Sequence, residues 1–282
     1  MDLNPGIHPH ILFADYINDP CPEPSLSKGV IGDLIERSPL HVYHSHPRLG
    51  GRTDSNSNRA DLGSAAHELV LGGDDRIVWI DAADFRTKAA KEERDVAHAQ
   101  LKIPMLEKQR EQLEAMAQVG RDRLCEFGAG HSELTMVWES DGIWYRSKPD
   151  WLSKDRLLAI DYKTATNADP LTWIRSVLMR SHYDIQGALA LQGLYNLEGP
   201  AQREFLFLVQ EIEAPYACSV VGIGPQMLEL AERKIAAASR VWKRCMQEKS
   251  WPGYQHHIHW AELPEYKTWD FENRSACYEG GE

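Results

Sequence analysis

The chain has 282 residues, 43% of them apolar and 26% charged, and a formal net charge of −11. This is the profile of a globular protein large enough to build a core without disulfide staples. The acidic balance counts against a broadly basic nucleic-acid surface and leaves room only for a local basic groove inside an acidic shell.

Five cysteines (Cys21, Cys125, Cys218, Cys245 and Cys277) are scattered, with no CxxC pair. A zinc ribbon is therefore not expected, nor an iron–sulfur cluster, and the thiols read as free in a reducing cytoplasm. With no basic-then-apolar leader and no apolar run near 20 residues, a cytoplasmic location without membrane contact is expected.

Residues 1–24 read as an irregular entry, and SLSKGVIGDLIERSP predicts a short helix with Ser27 as N-cap and Pro39 as its stop. A loop rich in Gly, Ser and Asn follows, over about His44 to Asn58. Apolar spacing predicts a helix over Arg59–Leu71, ended by Gly72-Gly73. Residues 87–127 are charged and periodic and predict one long or two shorter helices. Three runs of period-2 alternation then predict a three-stranded antiparallel meander. Asp141-Gly142 is its first turn and Ser153–Arg156 its second.

Asp169-Pro170 opens a helix reaching about Arg180, and another is predicted from Asp184 to Tyr195. REFLFLVQEIE predicts a buried strand, Ala217–Val221 a second, and Gln226–Glu248 a long amphipathic helix. The last 30 residues carry Trp251, Trp260 and Trp269 with little periodicity and are expected to wrap the surface. The order predicts an α/β chain with one mixed central sheet flanked by helices. It is expected to be a single domain, with an entry over 1–50, a core over 51–250 and a tail over 251–282.

KPDWL and IDYKT carry the clearest chemistry. Side chains alternate faces along a strand, so Asp161 and Lys163 share one face. A tight hairpin brings Asp150 to the same place. Two carboxylates and an ammonium suit phosphodiester hydrolysis: the carboxylates hold Mg²⁺, with Mn²⁺ as the alternative, and the lysine orients water or offsets charge at the phosphate. A surface hairpin with a chance DxK is the plain alternative. It has no need of the apolar run Leu157-Leu158-Ala159-Ile160 before Asp161.

Four further features agree. In GSAAH, Gly63 permits a helix to approach a sheet and His67 lies one turn on, able to reach a metal. Glu133 opens the first meander strand, beside the same site. Arg146 and Lys148 share the strand face of Asp150 and are expected to grip phosphates. HYDIQ sets Tyr183 and Gln186 at a helix start, a natural phosphate position.

The ordered set GSAAH, SELTMVW, KPDWL, IDYKT and HYDIQ resembles the exonuclease VIII (RecE-type) family of phage and prophage recombination nucleases, within the PD-(D/E)xK superfamily. That family is similar to lambda exonuclease and to the RecB and AddB nuclease domains. SPLHVYHSHPRLGG also resembles the segment preceding the GxxxH motif, and the likeness spans about residues 25–254.

The resemblance implies a PD-(D/E)xK core with metal ligands His67, Asp150, Asp161 and the Tyr162 carbonyl. Glu133 takes the acidic position near the metal, Lys163 the catalytic lysine, and Gln186 the glutamine of a QxxxY motif. The tyrosine of that motif is absent, because position 190 is Ala190; Tyr183 or Tyr195 could substitute. Resection of double-stranded DNA ends in the 5′ to 3′ direction, a ring of three or four copies, and cooperation with a single-strand annealing protein are implied in the same way. Arg146, Lys148 and the basic residues from His44 to Arg52 are candidates for the ring's inner wall. The competing readings are a CRISPR-associated-type end-trimming nuclease of the same superfamily and a catalytically silent DNA-binding module.

Overall fold

The computed structural model describes residues 2–50, 61–178, 180–254, 258 and 260–279. They fall into two compact units, residues 1–251 and 252–282. In chain order the first unit contains β1 (Gly6–His8), α1 (Phe13–Ile17), β2 (Ser25–Leu26), α2 (Lys28–Glu36), α3 (Pro39–Ser45), α4 (Asp61–Val70), β3 (Ile77–Ile80), α5 (Lys88–Ala99), β4 (Ile103–Leu106) and α6 (Arg110–Cys125). There follow β5 (Gly130–Ser132), β6 (Thr135–Ser140), β7 (Ile143–Ser147), β8 (Trp151–Ser153), β9 (Leu158–Ala165), α7 (Pro170–Trp173), α8 (Tyr183–Glu198), β10 (Glu204–Glu211), β11 (Cys218–Gly222) and α9 (Pro225–Glu248). The second unit holds α10 (Glu265–Glu279), a helix where the sequence shows little periodicity. None of the helices among the described residues is long and apolar enough to cross a membrane.

The α/β architecture with mixed sheets flanked by helices is present, but the expected meander is divided, and the described residues form three sheets. β6 and β7 pair antiparallel around Asp141-Gly142, both at positive φ as the turn requires. They lie in a four-stranded sheet of order β1-β6-β7-β2. After Ser147 the chain crosses at Pro149, which has no N–H to donate to a ladder. β8 and β9 then join a five-stranded sheet of order β11-β10-β9-β8-β5, and β3 and β4 form a small parallel pair. β1 and β2 bind residues 1–50 into the first sheet, so the entry is structured. Pro39, expected as a stop, is the first residue of α3, where a missing N–H costs nothing. Residues 87–127 form two helices, α5 and α6, with β4 between them.

β9 is the axis of the molecule. It runs antiparallel to β8 and parallel to β10, with Asp161 opposite Phe207. Both faces are covered. Ile160, Tyr162 and Leu208 pack with α4 and α6 through Ala65, Ala66, Leu113 and Met116. Ala159, Phe207 and Val209 belong to a second cluster with Ile185, Ala188 and Leu189 of α8. This is why the sequence before Asp161 is apolar without alternation. Leu157, counted in that run, lies outside the strand and is exposed.

A buried polar knot ties the entry to β7. Asp19, fully enclosed, accepts from the Ser25 N–H at 2.8 Å and hydroxyl at 2.7 Å, and lies 3.1 Å from Arg146 Nη1. His46 Nε2 lies 3.3 Å from the same carboxylate and donates to the Ser25 carbonyl at 3.1 Å, while its Nδ1 accepts from the Arg48 N–H. The expectation that Arg146 grips phosphate is thereby corrected: its guanidinium is only 5% exposed and is spent on Asp19 and Ser25. Of the basic residues from 44 to 52, Arg48 is held by the carbonyls of Cys21 and Pro22. Arg52 and most of the Gly/Ser/Asn loop lie outside the described residues.

Burial raises the Asp19 pKa, but His46, Arg146 and Ser25 outweigh it and hold the carboxyl well below the usual range. Its contribution is therefore present above the unfolded value of about 3.9 and fades as pH falls below it. Asp19→Ala strands a buried guanidinium and is expected to cost about 3–5 kcal/mol at neutral pH. A lowered urea midpoint with unchanged slope is the readout, and the difference from the parent should shrink in acid.

Candidate metal centre

The ladder between β8 and β9 ends at the pair Trp151–Ile160. Beyond it no strand among the described residues pairs with that edge of β9, and Asp150 fills the gap. Its Oδ2 accepts the Tyr162 N–H at 2.7 Å. A strand residue's N–H and C=O point to the same side, so the Tyr162 carbonyl faces this edge too. Asp161 and Lys163 project toward α8, while Tyr162 projects toward α4 and α6. There its hydroxyl donates to Gln210 Oε1 at 2.6 Å, and Gln210 in turn donates to the carbonyls of Met116 and Tyr216.

α4 can lie against β9 because of Gly63: a Cβ there would stand 2.7 Å from Thr164 Oγ1. One turn on, His67 Nε2 reaches Asp150 Oδ1 at 2.9 Å, and its Nδ1 is 4.0 Å from Glu133 Oε1. Glu133, at positive φ, donates its N–H to the Asp150 carbonyl at 2.8 Å and pairs with Lys148 Nζ at 2.7 Å. Lys148 is thus occupied by a carboxylate rather than presented alone, although it lines the groove above. Lys163 pairs with Asp161 Oδ2, and Gln186 donates to Asp161 Oδ1. Tyr183 stacks on Trp173 at 5.9 Å, and its ring carries the Lys163 ammonium at 5.0 Å. Ala190, where the resemblance expects tyrosine, is core.

Sequence reasoning missed four neighbours. Lys28, first residue of α2, places its ammonium 4.8 Å from the Tyr183 ring centroid. Glu68 follows His67, and the ligand atoms of His67, Glu68 and Glu133 lie within 4.8 Å of one another. Phe13 and Arg76 line the groove. For Glu68, adjacency to His67 was the available signal; for Lys28, Phe13 and Arg76 the sequence offers none.

The two central carboxyls are held in opposite directions. Burial raises both, yet His67, Lys163 and the Tyr162 N–H outweigh it at Asp150, which stays below the usual range. At Asp161 burial, then repulsion from Asp150, prevail over Lys163 and push the group up to about 6. Burial disfavours the charges of Lys163 and His67, but the surrounding carboxylates win, and both are raised. Asp161 Oδ2 is buried, with the Lys163 ammonium as its ion-pair partner. Two carboxylates and a backbone carbonyl at one strand edge fit a hard divalent cation, which prefers oxygen.

Asp150, His67, Glu133, Tyr162 and Lys163 line an open groove of about 690 Å³, and Asp161, itself buried, pairs with Lys163 there. A larger cavity of about 830 Å³ between α8, α9 and the β6–β7 hairpin lies apart from them, and its lining supplies Asp141 and Glu232 as its carboxylates. The groove is the better of these two sites, because it brings the buried Asp150 and Asp161 together with Lys163.

Asp and DxK at the end of an antiparallel hairpin, set in a mixed sheet between helices, make this a PD-(D/E)xK fold. The chain belongs to the PDDEXK-like domain family of unknown function (DUF3799), whose model matches residues 43–263. Among solved structures it is similar to a candidate exonuclease from Eubacterium rectale. That match has a TM-score of 0.62 at 14% identity and covers 93% of this chain and 98% of the other. Weaker similarity extends to an alkaline exonuclease from Laribacter hongkongensis (TM-score 0.31, 13% identity, covering 67% and 93%) and to a phage-related exonuclease from Haemophilus somnus (0.30, 14%, covering 66% and 95%). No curated protein matches.

Because the Asp161 value lies above its unfolded one, the parent loses stability from this group as pH rises from about 4 to about 6. In protein stripped of divalent ions, Asp161→Asn is expected to raise Tm at pH 7.5, by on the order of 2–4 °C per kcal/mol of relieved repulsion. The gain should vanish at pH 4, where the parent carboxyl is already protonated. Equal melting of parent and variant at pH 7.5 would contradict the charge balance described.

Proposed function

We propose that the chain is a metal-dependent DNA nuclease that removes nucleotides from double-stranded ends during recombination or repair. The observation that carries this is the meeting of Asp150, Tyr162 and Lys163 along an open groove, with the buried Asp161 paired to Lys163. Asp150, Asp161 and the Tyr162 carbonyl would hold Mg²⁺ or Mn²⁺, with His67 beside them. The ion supplies Lewis acidity toward a phosphoryl oxygen and lowers the pKa of water.

The chain's own groups do the rest. Lys163, charged and pinned between Asp161 and Tyr183, orients the attacking water and offsets charge that grows on the phosphate. Gln186 fixes the Asp161 carboxylate, and His67 fixes Asp150. Hydrolysis forms one bond from water oxygen to phosphorus and breaks one P–O bond, the leaving alkoxide taking a proton. Digestion in the 5′ to 3′ direction is part of the same reading and comes from the family resemblance.

Linear duplex labelled at either 5′ or 3′ end tests the proposal. Shortening is expected with Mg²⁺ or Mn²⁺ and not with Ca²⁺, whose looser coordination suits binding better than catalysis. Lys163→Ala should reduce kcat about 100- to 1,000-fold while the protein still binds DNA in Ca²⁺. Digestion in EDTA, or an undiminished Lys163→Ala enzyme, would overturn the assignment.

A net charge of −11 on a DNA-processing chain favours a closed ring of three or four copies, with acidic residues outward and cations toward the DNA. A single-strand annealing protein is the partner that would use its product. Light scattering at micromolar concentration should give three or four times the monomer mass. A monomer that digests long duplex without dissociating would remove the need for a ring.

A further inference from the structure

Phe13, at the start of α1, lines the same groove as Asp150 and Lys163. It belongs to none of the hydrophobic clusters among the described residues. The Arg76 guanidinium lies 4.2 Å from its ring centroid. Arg76 is itself pinned, by Glu68 Oε1 at 2.6 Å and by the Leu101 carbonyl at 3.4 Å. One side of the ring is thus backed by a fixed cation, while Phe13 remains 37% exposed.

The reacting groups lie deep: Asp150 is 8% and Asp161 1% exposed. A phosphate must reach them, which a bending single strand does more readily than a stacked duplex. The bases of that strand then rest on the groove walls. An aromatic face takes any base by stacking, and an adjacent guanidinium adds attraction.

We infer that Phe13, backed by Arg76, is a base-stacking platform for a single strand led to the metal centre, so that unpaired or frayed DNA ends are the form cut. This rests on the nuclease reading above.

The test uses the full chain and a short single strand carrying 2-aminopurine, with Ca²⁺ in place of Mg²⁺. Binding to the parent should quench the fluorescence. Phe13→Ala should weaken binding by about 5- to 150-fold and abolish the quench. Phe13→Trp should keep both, showing that ring stacking rather than local packing is read. With Mg²⁺, the Ala variant should raise KM more than it lowers kcat, and the parent should cut a frayed end faster than a blunt one. If the parent cuts DNA and Phe13→Ala binds and quenches like it, the platform is refuted alone. A parent that neither binds nor cuts any DNA refutes the nuclease reading, and the platform with it.

Discussion

Asp150 and Asp161 stand together at the unpaired edge of β9, in a place where burial and mutual repulsion both oppose their charges. Asp150 keeps its charge because a backbone N–H, an imidazole and an ammonium converge on it. Asp161 has Lys163 and one amide, and is left short. A group so placed gains from any positive charge at this edge, and that demand sets what its neighbours do.

The neighbours follow from that demand. β9 must be rigid, so it is covered on both faces and anchored at Tyr162 through Gln210 to α6. α4 must come close, so Gly63 stands where any side chain would strike Thr164. Glu133 and Lys148 neutralise one another at the rim. The buried Asp19–Arg146 pair lies one strand system away and serves the fold, although its arginine alternates in step with the site residues.

The charge of the whole chain and the charge of the groove answer different questions. The total of −11 governs solubility and long-range repulsion, while the floor of the groove holds lysines and carboxylates in near balance. A bound cation tips that floor toward anions. Tyr183, with Lys28 and Lys163 both at its ring, gives two like charges near an acidic centre a shared aromatic contact.

The sequence by itself determined the local pieces. Period 2 put Asp161 and Lys163 on one face, the Asp-Gly pair set the β6–β7 turn, and the unbroken apolar run marked β9 as buried. GxxxH spacing put Gly63 and His67 one helical turn apart. These are short-range consequences of backbone geometry, so they are legible in the residues themselves. Only the tertiary structure decided which sheet each strand entered, because Pro149 interrupts a ladder without saying where the chain goes next. It alone turned Arg146 inward to Asp19, since the partner lies 127 positions away and strand alternation cannot distinguish a groove from a core. It alone brought Lys28, Glu68, Phe13 and Arg76 to the candidate metal centre, from segments whose meeting depends on how α1, α2, α4 and the turn before β3 pack around β9 rather than on any pattern within them.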